Sequence, residues 1–129
     1  MSEIKKEEFL NAFNKDNNII GFTVVGGMFS EGVDLPGDKL IGAIIVGVGF
    51  PMVSIENNII SEYFEESGFD YSYTYPGINK VLQSAGRVIR TESDKGRVLL
   101  IDKRYKSHKY KFILPKEWVV EDYKFICKK

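Results

Sequence analysis

Three polar side chains, Gln83, Arg87 and Arg90, stand among small and aliphatic residues in the segment "VLQSAGRVIR". In a helix, a turn of about 100° per residue would place all three on one face, opposite the apolar positions. Two guanidinium groups three residues apart offer planar forks of donors that suit phosphate oxygens. Gly86 lies between them and leaves room for a ligand or another backbone to approach. The same pattern also fits an ordinary solvated helix face, and helix geometry alone leaves both interpretations open.

A second polar cluster is the segment "GGMFSEGVDLPGDK", which has glycines at 26, 27, 32 and 37. Glycines allow tight turns that leave amide groups exposed, so Ser30 and the neighbouring N–H groups could bind a backbone phosphate. Asp34 only accepts hydrogen bonds, and it could orient an arginine, a lysine or a metal-bound water. The alternative is a plain turn in which Asp34 caps a helix and Pro36–Gly37 form a β-turn.

The elements that must position these clusters alternate between helices and buried strands. The pattern predicts an amphipathic helix over residues 2 to 15, capped by Ser2, and a second helix from the Ser54 cap to about Glu66. It predicts a linker over residues 67 to 77 and a third helix, with Pro76 in its first turn, that runs to about Thr91. Three continuous apolar runs, "IIGFTVVGG", "LIGAIIVGVGF" and "GRVLLID", predict strands covered on both faces. This order predicts an α/β fold with a mainly parallel sheet flanked by helices. Ligands would then lie at the carboxyl ends of the strands.

Composition excludes several classes of protein. The chain has 129 residues with 18 basic and 18 acidic side chains, so it lacks the cationic excess of a general polyanion binder. Cys127 is the single cysteine, which excludes an internal disulfide and indicates a reducing compartment. The longest apolar run, Leu40 to Val53, is shorter than the ~20 residues that span a bilayer, and the start lacks the pattern of a secretory signal. We therefore expect one cytoplasmic domain with no membrane contact.

Together, "GGMFSEGVDLPGDKLIGAIIVGVGFP" and "QSAGRVIRTESDKGRVLLIDKRY" resemble motifs V and VI of the DinG-like and XPD-like superfamily 2 DNA helicases, over roughly residues 5 to 118. The resemblance implies a RecA-like domain of the phosphate-loop NTPase type, specifically the second, C-terminal motor domain of the helicase. It implies that Gln83, Arg87 and Arg90 line an ATP cleft, with both arginines as fingers on the γ-phosphate. It also implies that four residues contact the tracked DNA strand, namely Phe29, Ser30, Glu31 and Gly32. Asp34 and Gly86 would couple that contact to ATP, and Asp102 and Arg104 would support the arginine helix.

Part of the helicase machinery is missing from the sequence. It contains no Gly-x-x-x-x-Gly-Lys-Ser/Thr phosphate loop and no Asp-Glu-x-His magnesium box, and no metal site is expected. We therefore expect residues 1–129 to be one domain of a longer chain, which alone holds no cofactor and hydrolyses nothing. ATP and Mg²⁺ would bind only with the first RecA-like domain as partner, and single-stranded DNA would be the substrate, unwound 5′ to 3′. Two alternatives stay open: a non-catalytic module that binds nucleic acid or protein, and a flavodoxin-like protein that uses "GVGFP" as its ligand loop.

Overall fold

The computed structural model describes residues 3–15, 18–27, 40–88 and 95–122. The elements in these ranges alternate between helices and strands: α1 (Glu3–Lys15), β1 (Gly42–Val46), α2 (Ile55–Tyr63), α3 (Tyr75–Ala85), β2 (Arg97–Ile101) and α4 (His108–Ile113). Short 3₁₀ turns at Glu65–Ser67 and Lys103–Lys106 and a π-helical turn at Asp70–Thr74 complete them. The predicted first helix, the Ser54 cap and the last two predicted strands are confirmed.

The two strands pair in parallel, with Gly42 opposite Arg97 and Val46 opposite Ile101. Parallel strands need a crossover connection, and α2 and α3 supply it. The fold class predicted from the sequence, a parallel sheet flanked by helices, is therefore confirmed.

The core lies between α3 and one face of this sheet. Ile78, Val81 and Ala85 are completely buried or nearly so, whereas Gln83 on the other side of the helix is exposed. This is the division between an apolar and a polar face that the spacing predicts. The other members of the buried cluster come from β1, its carboxyl end and the segment after β2: Ile45, Val48, Tyr105 and Tyr110.

Helix α3 runs antiparallel to the strands. At its start, a Cβ on Gly77 would lie 2.6 Å from the carbonyl oxygen of Val48, just past the carboxyl end of β1. Beyond its end, Val88 packs against Gly96, just before the amino end of β2. Residues early in α3 therefore lie at the carboxyl edge of the sheet, and residues late in α3 lie at its amino edge.

The predicted strand over residues 19 to 27 is wrong. These residues pair with no other described strand, and they end in a turn in which the Gly27 N–H donates to the carbonyl of Val24 (2.9 Å). Gly21 instead lies against the rings of Phe9 and Phe13 on α1. A β-branched run favours extended backbone, but a strand also needs a hydrogen-bonding neighbour, which composition does not supply.

The predicted linker over residues 67 to 77 is also wrong, because this segment is helical and leads directly into α3. Ser72 is fully buried and donates to the carbonyl of Asn57 (2.9 Å), and Thr74 donates to a carboxylate oxygen of Asp70 (2.9 Å). The tertiary bond from Ser72 to Asn57, together with the local bond within the segment, outweighs the glycine and aromatic signals that suggested a linker.

Helix α3 ends six residues earlier than the predicted Thr91. Gly86 is its C-cap, and the following N–H groups of Arg87 and Val88 reach back only three residues, to Ser84 and Ala85. Glycine is a poor helix former, costing about 1 kcal/mol relative to alanine, so the chain tightens and leaves the helix there.

Candidate functional site

The predicted ATP-facing residues within the described ranges lie together at the amino edge of the sheet. Gln83 and Gly86 are exposed, and Arg87 is partly buried in the turn that follows α3. The buried positions Val81 and Ala85 anchor the same stretch of chain from behind. The structure therefore exposes the Gln83 amide at a firmly packed helix end and places Arg87 in the turn that follows.

Arg87 occupies a turn and not the helix itself. The predicted alignment of Arg87 with Arg90 assumed an unbroken helix through both residues. Because α3 ends at Ala85, helix geometry no longer sets the relation between the two guanidinium groups. Arg90 lies outside the described residues, and its assignment stays a prediction.

The second cluster, Phe29, Ser30, Glu31, Gly32 and Asp34, also lies outside the described residues, so their roles stay predictions. The structure does show where the chain enters this segment. Gly26, in the left-handed conformation with φ of 79°, lies against Lys80, and a Cβ on Gly49 would be 3.2 Å from a methyl group of Val25. The segment therefore begins at the carboxyl edge of the sheet.

Asp102 and Arg104 lie at the carboxyl edge, just after β2. Asp102 accepts from the Arg104 side chain through both carboxylate oxygens, at 2.8 Å from Nε and 2.7 Å from Nη2, and from the Arg104 backbone N–H at 2.9 Å. The same guanidinium group lies over the ring of Phe50, 4.7 Å from its centroid. Arg104 thus contacts the segment that follows β1, and the support of the arginine helix by this pair stays a prediction.

Two ion pairs lie near the carboxyl edge, Arg104 with Asp102 and Lys109 with Asp70. Hydrogen bonds from the Arg104 side chain lower the pKa of Asp102 to about 2, and a hydrogen bond from Lys109 lowers the pKa of Asp70. Burial raises the pKa of Tyr105 to about 12, so its phenol stays protonated and donates to the carbonyl of Gly47 (2.8 Å). The carboxylates of Asp70 and Asp102 are therefore each paired with a cation, one from a distant part of the chain and one from two residues away.

Sequence reasoning missed three neighbours at this edge, namely Lys80, Gly49 and Gly77. A Cβ on Gly26 would lie 3.2 Å from Cδ of Lys80, and a Cβ on Gly49 would lie 3.2 Å from the carbonyl oxygen of Gly77. The Pro76–Gly77 pair hinted at a close approach, since glycine is favoured where backbones meet. Lys80 gave no signal, because its partners come from distant parts of the chain.

Two further observations bear on the chemistry. In the ranges that the structure describes, no group of three histidine, cysteine, aspartate or glutamate side chains could hold a metal ion. No described helix has both the length and the apolar character needed to cross a membrane.

Comparison with known proteins identifies the family. The model of the helicase C-terminal domain matches residues 1–121. An ATP-dependent DNA helicase DinG from Photobacterium profundum is 42% identical over 89 residues, which cover 65% of this chain and 13% of that protein. The helicase subunit XPD of the general transcription and DNA repair factor IIH from Arabidopsis thaliana is 28% identical over 121 residues, 88% of this chain and 15% of that protein.

A regulator of telomere elongation helicase 1 homolog from Drosophila sechellia is 31% identical over 110 residues, 78% of this chain and 11% of its own length. The chain thus spans about one seventh or less of each of these three relatives. Its parallel sheet and flanking helices agree with part of a RecA-like α/β domain. The chain belongs to the helicase C-terminal domain family, in the form found in DinG-like and XPD-like superfamily 2 helicases.

Proposed function

We propose that this chain is the second RecA-like motor domain of a cytoplasmic, ATP-dependent DNA helicase of the DinG/XPD type. The observation that carries the proposal is the end of α3, where Gln83 and Gly86 are exposed while Val81 and Ala85 behind them are buried. A binding site made with another domain needs donors that are exposed in one domain alone and yet held in place. The family match supports the same conclusion.

The residues present fit one part of a nucleotide site. Gln83, Arg87 and, by sequence, Arg90 supply donors for phosphate oxygens, whereas the chain has neither a phosphate loop nor an acidic magnesium box. ATP with Mg²⁺ would supply the transferable phosphoryl group, held mainly by the first RecA-like domain. In that assembly Arg87 and Arg90 would approach the γ-phosphate and supply positive charge to the transferring phosphoryl group, and Gln83 would line the same cleft.

The strand side of the motor is assigned to the segment that follows Gly27. Phe29, Ser30, Glu31 and Gly32 contact the backbone of single-stranded DNA, and Asp34 and Gly86 couple that contact to the nucleotide. Asp102 and Arg104 support the arginine helix. The entry of residues 25–27 at the carboxyl edge, beside β1 and the start of α3, is consistent with this arrangement.

The uncovered face of the sheet supports a larger assembly. Ile44 and Val46 of β1 are 69% and 71% exposed, although both are strongly apolar. Leaving such side chains in water forfeits about 1.5–3 kcal/mol each relative to full burial. We propose that this face packs against other parts of a longer protein that also holds the first motor domain.

The decisive experiment replaces Arg87 with alanine in the full-length protein and measures DNA-stimulated ATP hydrolysis. The rate should fall by about a thousandfold, because the transferring phosphoryl group loses a stabilising charge, while affinity for single-stranded DNA stays within about twofold. Arg97→Ala is the matched control, since Arg97 is an exposed arginine at the same edge of the sheet.

Two outcomes decide between the proposals. Unchanged hydrolysis in Arg87→Ala would refute the finger assignment. A full-length protein that binds DNA but hydrolyses no ATP would instead support the alternative of a non-catalytic binding module.

A further inference from the structure

A continuous row of residues follows the carboxyl edge of the sheet, and it lies outside the segment proposed to contact DNA. We call Lys80, Gly49, Gly77, Phe50 and Phe69 the carboxyl-edge row. A Cβ on Gly49 would lie 3.6 Å from Cβ of Lys80, and a Cβ on Gly77 would lie 3.0 Å from Cδ1 of Phe50. The two glycines thus let α3 approach β1 closely, which brings a cation and an aromatic group to the same edge.

Lys80 supplies a cation that is available to a ligand. Its side chain is partly buried along the turn at Gly26, with Nζ 3.5 Å from where a Cβ on that glycine would be. Within the described part of the chain, no carboxylate forms an ion pair with it, whereas the nearby acids Asp70 and Asp102 are paired with Lys109 and Arg104. Lys80 is therefore a cation at this edge that no described acid balances through an ion pair.

Phe69 supplies an exposed ring whose position is fixed by contacts with other aromatic rings. Its side chain is 54% exposed, and its ring contacts those of Phe50 (centroids 5.7 Å apart, nearly perpendicular) and Tyr73 (5.2 Å). Phe50 is in turn covered by Arg104. An aromatic side chain fixed in this way loses little freedom when a planar group stacks on it, and nucleic-acid bases are such groups.

Charge separates this row from a second aromatic group nearby. Phe64 stacks on Tyr71 (4.1 Å), and Tyr63 and Tyr75 extend the stack at its two ends. Tyr63 is 80% exposed, more than Phe69. However, this group is bordered in sequence by three exposed carboxylates, Glu62, Glu65 and Glu66, which would repel a phosphate backbone.

We infer that the carboxyl-edge row is a subsite for single-stranded nucleic acid, in which Lys80 binds a backbone phosphate and Phe69 stacks on a base. The inference rests on the proposed function and extends the strand-binding surface beyond Phe29–Gly32. Gly26 contacts Lys80 and lies three residues before Phe29 in the sequence.

The test uses the full-length protein and two labelled probes of equal length, oligo-dT and an abasic strand, in fluorescence anisotropy over a range of salt concentrations. Phe69→Ala should weaken binding of oligo-dT about tenfold and leave the abasic strand unaffected, since only a base can stack. Lys80→Gln should weaken binding of both probes and reduce the slope of log affinity against log salt by about 0.7, the value for one phosphate.

Matched variants guard against indirect effects. Phe69→Leu keeps an apolar contact with Phe50 and should lose affinity for oligo-dT as the alanine variant does. Tyr63→Ala and Lys95→Gln change an exposed aromatic and an exposed lysine outside the row, and both should bind like the wild type.

The outcomes separate the two proposals. A wild-type protein that binds neither probe would overturn the nucleic-acid part of the proposed function and this inference with it. A wild-type protein that binds oligo-dT, with Phe69→Ala and Lys80→Gln indistinguishable from it, would overturn the inference alone. Equal losses on both probes in Phe69→Ala would show that the ring packs against protein and does not stack on bases.

Discussion

At the amino edge of the sheet, α3 ends with Gln83 exposed and with Gly86 and Arg87 in the turn that follows, whereas at the carboxyl edge Arg104 packs over Phe50 and the start of α3 lies against the segment after β1. One helix of 11 residues, about 16 Å long, separates the two regions. The exposed Gln83 amide suits a site that another domain completes. The aromatic side chains at the carboxyl edge are fixed by packing, which suits a nucleic-acid strand that moves along them. A single antiparallel crossover helix is thus enough to place two different surfaces on one small domain.

The largest expected difference between the edges concerns their glycines. Gly77→Ala should lower the free energy of unfolding by about 3 kcal/mol, because the new Cβ would meet the carbonyl oxygen of Val48 at 2.6 Å and neither backbone can move freely. Gly86→Ala should be neutral or stabilising by up to about 1 kcal/mol, since φ is −64° there and alanine favours helix. Urea unfolding of both variants measures this contrast.

The same two glycine variants also test the functional difference between the two edges of the sheet. If Gly86 leaves room for the other motor domain, Gly86→Ala should reduce DNA-stimulated ATP hydrolysis in the full-length protein despite its intact stability. A Gly86→Ala protein with normal hydrolysis, or a Gly77→Ala protein as stable as the wild type, would contradict the roles given to these glycines.

A smaller effect is expected at the contact between Tyr105 and Gly47. Tyr105→Phe removes a hydrogen bond that joins the segment after β2 to the end of β1, and the Gly47 carbonyl loses its phenol donor. The variant should lose about 1 kcal/mol of stability in urea unfolding, the typical net value of such a bond. The exposed Tyr63→Phe serves as the control, and equal stability of Tyr105→Phe and wild type would show that solvent replaces the lost donor.

The smallest expected effect is a dependence on acid. The pKa of Asp102 is lowered in the folded chain to about 2, below its ordinary value near 4. A lowered carboxylate pKa contributes stability above pH 4 that is lost as the pH falls toward 2. Because Arg104 is partly exposed, the loss should be about 1 kcal/mol or less.

Comparing acid unfolding of the wild type with that of Asp102→Asn measures this contribution, with the exposed Glu62→Gln as the control. The asparagine variant should be less stable at pH 7 and should approach the wild type at pH 2. Parallel curves for the two proteins over this range would show that the ion pair contributes nothing.

Local signals predicted the parts of the fold that local physics controls. The periodic placing of Ile78, Val81 and Ala85 identified the buried face of α3, and the β-branched runs identified β1 and β2. The parallel pairing followed because helical segments lie between those runs. The resemblance in the sequence also predicted the family that the comparisons established.

The segments that were predicted wrongly depend on partners far away in the chain. Residues 67–77 form a helical segment because Ser72 bonds to Asn57 and Asp70 pairs with Lys109. The local sequence does not predict either contact. Residues 19–27 lack a described strand partner in the same way. The composition of a segment indicates which secondary structure it favours, but the hydrogen-bond partners that the fold supplies determine which one forms.

The sequence by itself determined the family, the class of fold and the polar face of α3, because motifs and periodicity are properties of neighbouring residues. Only the tertiary structure decided that Arg87 and Arg104 stand at opposite edges of the sheet, and that Lys80 and Phe69 share an edge with Gly26. The direction of α3 relative to the strands fixes both arrangements, and that direction arises when the crossover packs its buried face onto the sheet.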